Sequence, residues 1–193
     1  MPNFHIRKME LGDRQEISHL IHHSLNAYYD SIGRGRPMPG DPIGRAIFFD
    51  VYWKTDPAEG IVATDDDSGA IIGSCFVHPR ETHISLGIMN VHHEHFGRGV
   101  ARSLLAAVTD LGKAEGKSVR LVSSCFNLDS YSLYTRGGFV PFNTFQDMMV
   151  SVPEGGLDHP APVGVTVREA TPDDVKAMGE LEMQVSGISR LAD

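Results

Sequence analysis

Two glycines on either side of an arginine are the residues whose type and spacing most directly predict chemistry in this sequence. Gly97-Arg98-Gly99, which we call the glycine turn, follows an apolar run and precedes a segment with helical spacing. Glycine lets main-chain N–H groups approach a phosphate closely, and a helix N-terminus supplies N–H groups with partial positive charge. Arg98 can add a charge-assisted contact. The turn therefore predicts a pyrophosphate site, with a tight turn that binds nothing as the alternative.

Other phosphate-binding patterns do not fit the sequence. It contains no Gly-x-x-x-x-Gly-Lys-Ser/Thr, and no Gly-x-Gly-x-x-Gly after the first strand with an acidic residue ~20 positions further on. A nucleotide-binding protein stays open as an alternative interpretation, which would require tight binding of ATP or NAD.

The residues around the glycine turn resemble a known family. Phe96-Gly97-Arg98-Gly99-Val100-Ala101 is similar to the acyl-CoA motif of the GNAT superfamily, Gln/Arg-x-x-Gly-x-Gly/Ala after a strand. Downstream, Asn127, Ser130, Tyr134 and Gly138-Phe139 resemble the second motif of that family. Two separated motifs are more specific than either alone, and the order of predicted elements is also similar over residues 3–152.

The resemblance implies a role for each matched position. Main-chain groups of Met89–Val91 should pair with the pantetheine arm, N–H groups of the glycine turn should hold the pyrophosphate, and Asn127 should hydrogen-bond the pantetheine region. Tyr134 should protonate the leaving thiolate, since a phenol keeps its proton at neutral pH; a core aromatic is the alternative. The residues expected to bind acyl-CoA are Met89, Asn90, Val91, Phe96, Gly97, Arg98, Gly99, Val100, Ala101, Asn127, Ser130 and Tyr134.

Two positions depart from the family pattern. Phe96 stands where the motif usually has Gln or Arg, which removes a polar side chain near the phosphates. Ser85 stands where many relatives carry a Glu as general base, and serine is a poor base at neutral pH. We therefore predict His83 as the general base; Glu81, a water chain or an amine that arrives neutral are alternatives. These departures also motivate a second interpretation, a non-catalytic acyl-CoA-binding module.

The elements that must position these residues follow from the periodicity of the apolar residues. The pattern predicts β-α-α-β-β-β-α-β-α-β-β, a mixed α/β domain; the resemblance implies a central, mostly antiparallel sheet flanked by helices. The predicted strands are 4–8, 60–65, 70–79, 83–91, 118–126, 139–142 and 145–152. The predicted helices are 12–24, 43–53, 100–115 and 127–136.

The C-terminal segment predicts a second unit. Residues 153–163 contain three Pro and two Gly and indicate a linker. Residues 167–181 align without gaps on residues 6–20, with Arg168 matching Arg7 and Asp174 matching Asp13. We therefore expect a GNAT-type domain at 1–152, and at 164–193 either the start of a second repeat, in a chain that is a fragment of a tandem protein, or a docking tail.

Composition limits the function classes. The net charge of −8, from 25 acidic and 17 basic residues, argues against a nucleic-acid-binding surface. No apolar run reaches the ~20 residues that cross a bilayer, the N-terminus is not a signal peptide, and two cysteines in apolar runs favour reduced thiols. We expect a cytoplasmic enzyme without membrane association.

Two further sets of side chains were weighed for a role. His92, His93, Glu94 and His95 are contiguous in a loop, which rarely supplies several ligands to one ion, so we expect no metal. Arg34 and Arg36 lie in a Gly/Pro-rich loop that borders the acceptor site in GNAT-like domains.

The sequence as a whole predicts an N-acetyltransferase with acetyl-CoA as co-substrate and a small-molecule or peptide amine as acceptor. The acyl chain length and the oligomeric state, including a homodimer, stay open.

Overall fold

The sheet and its flanking helices are given by the computed structural model, which describes residues 3–157, 162–191 and 193. The strands are β1 Phe4–Lys8, β2 Ile61–Asp65, β3 Ile71–Pro79, β4 His83–Val91 and β5 Ser118–Arg120. The helices are α1 Arg14–Ser31, α2 Ala46–Thr55, α3 Val100–Glu115, α4 Leu128–Arg136 and α5 Val175–Ser186. Short 3-10 turns precede α1, α2 and α5, and another, His93–His95, follows β4.

The sheet has the order β1-β2-β3-β4-β5, which confirms the predicted mixed α/β fold with a mostly antiparallel sheet. β1 to β4 pair with their neighbours antiparallel, and β4 pairs with β5 in parallel. Between the pairs Cys75–Met89 and Val77–Leu86, β3 advances two residues while β4 advances three. This β-bulge, at Gly87 and Ile88, bends β4.

Helices cover both faces of the sheet. On one face, α3 buries Val100, Leu104 and Val108 at helical spacing against the sheet. On the other face, α1 and α2 bury a second set, which includes Ile17 and Phe49. Because strand side chains alternate, the sheet contributes its own residues to both cores.

Close contact of α3 with β3 depends on Gly73. A Cβ built there would lie 2.8 Å from Cγ1 of Val100 and 3.1 Å from Cδ1 of Leu104. We expect Gly73→Ala to lower the free energy of unfolding by about 1–3 kcal/mol through overpacking, measured by urea denaturation. Gly12→Ala is the control, because nothing lies within 4 Å of a Cβ at Gly12. Equal stabilities of the two variants would contradict the tight fit.

The C-terminal part of the predicted sheet is wrong. The strand predicted at 118–126 is restricted to Ser118–Arg120, and the segments 139–142 and 145–152 form no strand. With β5 so short, the later segments have no long edge to pair with, and Pro141 lacks the N–H that a ladder requires. Their apolar side chains are exposed, Phe142 to 93% and Met149 to 101%.

The tail after the predicted linker repeats a local structure of the N-terminus. Arg168 donates two hydrogen bonds to Asp174, and Arg7 donates two to Asp13. In both places the aspartate also accepts from the main chain three residues earlier. The tail then contacts the domain, since the N–H of Ser189 donates to the Thr82 hydroxyl. Residues 158–161 of the predicted linker lie outside the described residues.

Candidate active site

The central feature of the site is a gap between β4 and β5. Within the described residues, β4 pairs with β5 only from His83 to Ser85. The bulge follows at once, and the β5-facing edge of β4 is open from Leu86 to Val91. Main-chain groups on an open edge need partners. The residues predicted to face a pantetheine arm, Met89–Val91, lie on this edge.

The glycine turn has the geometry that a phosphate cradle requires. Gly97 and Gly99 both have left-handed backbone conformations, with φ of 76° and 88°, and nothing lies within 4 Å of a Cβ built at either. Gly99 is the N-cap of α3 and has no side-chain cap. The N–H groups of the first turn of a helix lack intrahelical partners. The turn therefore fits a pyrophosphate group.

Cationic side chains lie beside this cradle. Arg98 and Arg102 border a cavity of about 540 Å³ next to the glycine turn. Asp65 and Asp67 also line this cavity. The arginines can contact phosphate oxygens by charge-assisted hydrogen bonds. Phe96, where the family pattern has a polar residue, is half-exposed and faces a different cavity.

That second cavity lies between the loop after α1 and the start of α4. It measures about 560 Å³, and its lining includes Tyr28, Arg34, Phe96 and Phe126. The guanidinium of Arg34 lies 3.6 Å from the centre of the Phe126 ring, a cation–π contact. Arg36 instead approaches Asp30 at 3.3 Å. Of the two arginines weighed for acceptor binding, Arg34 therefore lines a cavity.

Helix α4 positions the second motif. The Asn127 side chain caps the helix by accepting a hydrogen bond from the N–H of Ser130 at 3.0 Å. Tyr134 is partly buried against the α3-side core, with its ring 5.9 Å from that of Phe139. Burial, and then the proximity of Cys75, raise the pKa of Tyr134 to about 12, although a Ser130 hydrogen bond opposes them. Tyr134 thus keeps its proton over a wide pH range.

The predicted general base, His83, lies at the start of β4. It is 2% exposed, and its Nδ1 lies 3.1 Å from the Thr82 hydroxyl. Burial, and then the charges of Arg120 and Arg80, lower the pKa of His83. Ser85 lies two residues further along, at the last pair with β5, and Glu81 is exposed.

A comparison with protein families decides the class. The model of the Acetyltransferase (GNAT) family matches residues 21–139, more than half of the chain. The chain belongs to the GNAT family. No curated protein sequence matches it significantly.

Solved structures share this GNAT fold at low sequence identity. An acetyltransferase candidate from Pyrococcus horikoshii is 18% identical with a TM-score of 0.59; the match covers 72% of this chain and 44% of that one. AAC(6')-Iy, in complex with the bisubstrate analogue CoA-S-monomethyl-acetylneamine, is 18% identical with a TM-score of 0.56, covering 77% and 98%. The Escherichia coli ribosomal-protein-S18-alanine N-acetyltransferase is 15% identical with a TM-score of 0.56, covering 72% and 79%.

Sequence reasoning missed a buried ionic network on the α2 side of this GNAT fold. Nδ1 of His78 lies 2.6 Å from a carboxylate oxygen of Asp56, and Arg80 donates to both oxygens of the same carboxylate. Burial raises the pKa of Asp56, but the hydrogen bonds from Arg80 and then His78 outweigh it, and the pKa is lowered. Asp56 is therefore an anion at neutral pH. Asp56 and His78 are 22 residues apart in the sequence. They belong to no common sequence motif, so the sequence alone does not indicate that they pair.

The histidines after β4 form a cluster with those of α1. The rings of His92 and His93 stack at 4.6 Å, and those of His22 and His23 lie 5.2 Å apart. Burial, and then the charge of His22, lower the pKa of His23; burial also lowers the pKa of His92.

Over the described parts of the chain, no three His, Cys, Asp or Glu side chains are grouped to hold a metal. No helix in the same residues is long and apolar enough to span a bilayer.

Proposed function

We propose that this protein is an acetyl-CoA-dependent N-acetyltransferase that transfers the acetyl group directly to an amine. The observation that carries the proposal is the open edge of β4, which runs from the bulge towards the glycine turn. Over the five residues from Gly87 to Val91, which are four steps along the strand, this edge extends about 13 Å. An extended pantetheine arm along it would keep its phosphates at the glycine turn and its thioester near the bulge.

The chain's own groups can supply the remaining chemistry. N–H groups of the glycine turn and of the first turn of α3 would hold the pyrophosphate. A main-chain N–H on the open edge of β4 would polarise the thioester carbonyl. Tyr134 would give its proton to the departing thiolate, and its raised pKa suits a group that must be protonated when the reaction begins. Binding both reactants side by side would supply much of the rate.

The acceptor would enter from the cavity that Arg34 and Phe126 line. Its aromatic walls and the arginine among its described lining residues suit an amine that also carries an apolar or anionic group. Both cysteines are free thiols, Cys75 buried and Cys125 exposed. Free thiols suit a reducing compartment, and we propose that the enzyme acts in the cytoplasm.

Calorimetric titration with acetyl-CoA tests this function, with free CoA and ATP as comparisons. We expect micromolar binding of acetyl-CoA and no comparable binding of ATP. Thiol release is then followed with three probe amines: benzylamine, neamine and a peptide that begins with alanine. Absence of acetyl-CoA binding would overturn the proposal. Binding without thiol release for any of the amines would favour the non-catalytic acyl-CoA-binding module, which the residues at Phe96 and Ser85 motivate.

We further propose that residues 164–193 begin a second GNAT-like repeat. The support is the shared arginine–aspartate arrangement at Arg7 and Arg168, each followed by a helix. Tandem repeats of a domain typically place equivalent residues one domain length apart.

A further inference from the structure

His78 on β3 and Asp56, which follows α2, form an oriented pair. The Asp56 carboxylate is an anion and accepts a hydrogen bond at 2.6 Å, so Nδ1 of His78 carries a proton. In a neutral imidazole the other nitrogen is then a lone-pair acceptor. Nε2 of His78 is therefore held as a base by its partner.

The basic nitrogen of His78 lies against β4. Nε2 is buried and has no hydrogen-bond partner among the described residues. A Cβ built at Gly87 would lie 2.7 Å from it. Gly87 therefore packs directly against this side of the imidazole, and any larger residue at this bulge position would collide with Nε2. An unpaired buried acceptor is costly, which makes a functional role the natural explanation.

This nitrogen lies where the gap between β4 and β5 opens. His78 pairs with Ser85, the last residue of β4 that pairs with β5. His78 therefore places a base beside the point at which the open edge of β4 begins.

His78 and Tyr134 lie on opposite faces of the sheet. The His78 ring lies 4.7 Å from that of Tyr52, which packs with the α1/α2-side core. Tyr134 packs with the α3-side core. A base on one face and an acid on the other suit a direct transfer in which the amine arrives on one side and the thiol leaves on the other.

We propose that His78, positioned by Asp56, is the general base of the acetyl transfer. The inference rests on the proposed function. In the step, the amine nitrogen forms a bond to the acetyl carbon and the carbon–sulfur bond breaks. The amine proton passes to Nε2 of His78, directly or through one water. The thiolate takes the proton of Tyr134. His78 then gives its proton to solvent and Tyr134 regains one from solvent, so the enzyme returns to its starting state and the net products are the amide and the thiol.

The charged groups that face the pair support this role. Arg80 donates to both oxygens of the Asp56 carboxylate and is itself paired with Asp193. Tyr52 contributes only its ring and a phenol whose pKa burial raises, so it is neutral. Asp56 is thus kept as an anion that fixes the tautomer and stabilises the imidazolium formed in the step.

The kinetic test uses the full chain, acetyl-CoA and benzylamine as the probe amine. We expect His78→Gln to lower kcat/KM by about 100-fold, at the low end for a general base because water can replace it. His5→Gln is the matched control, because His5 forms a similar 2.7 Å pair with Asp66 in an exposed position. Unchanged kinetics in His78→Gln, or a larger loss in His83→Gln, would overturn the proposal.

A readout independent of activity is the tautomer of His78, seen by ¹⁵N NMR of labelled histidine. The wild type should show a proton on Nδ1, and Asp56→Asn should lose this preference while it retains the fold by circular dichroism. A proton on Nε2 in the wild type would overturn the proposal, as would an unchanged tautomer in a folded Asp56→Asn. If the wild type neither binds acetyl-CoA nor releases thiol, the proposed function fails. If it does both and the kinetics of His78→Gln equal those of the wild type, only the assignment of the base fails.

Discussion

Replacing Tyr134 by phenylalanine is expected to lower kcat by about 10³-fold, or about 4 kcal/mol in activation free energy. The substitution removes only the hydroxyl, so the ring keeps its contacts with the α3-side core. Without this acid the thiolate must leave unprotonated or take a proton from water. The measurement is thiol release under saturating acetyl-CoA with the best of the three probe amines.

The acetyl-CoA dissociation constant should hardly change in this variant, which separates a catalytic role from a binding one. Tyr131→Phe is the control, because Tyr131 lies on the same helix with 46% of its surface exposed. Because the pKa of Tyr134 is about 12, the wild type should also keep its rate well into the alkaline range. Equal kcat values in Tyr134→Phe and wild type would exclude the phenol as the acid.

The glycine turn could be placed from the sequence because its structure is local. A strand, a short polar loop, two glycines and an amphipathic helix lie within one short stretch of sequence, and the predicted β4 and α3 agree with those observed. The helix at Asn127 was predictable for the same reason, since an N-cap and a closing glycine lie within a few residues. Local signals therefore gave both motifs of the candidate site.

The end of the sheet could not be predicted in the same way. The segment 121–126 has the apolar character of a buried strand, yet Val122 is 84% exposed and forms no ladder. Strand formation depends on a partner edge, and apolar composition does not reveal whether that edge exists. The gap that remains beside β4 is the feature on which the proposed site depends.

The proposed base, His78, could not be predicted from the sequence either. His78 lies in an apolar strand and Asp56 in the turn after α2, so each alone is typical of core and loop residues. Their pairing requires the fold that packs α2 on β3. The prediction of His83 rests on its proximity to Ser85 along the chain, whereas His78 lies opposite Ser85 in the strand pair.

Replacing Gly99 by leucine is expected to weaken acetyl-CoA binding by more than about 100-fold, because a side chain at this left-handed position both strains the turn and occupies the phosphate cradle. Nothing lies within 4 Å of a Cβ there in the free protein, so the loss should be one of binding. Gly116→Leu is the matched control: Gly116 is left-handed at the other end of the same helix, with φ of 65° and equally open space. Both variants should lose similar stability in urea, and only Gly99→Leu should lose binding by calorimetry. Equal affinities would mean that the turn is a structural cap and that acyl-CoA, if bound, is held by another part of the chain.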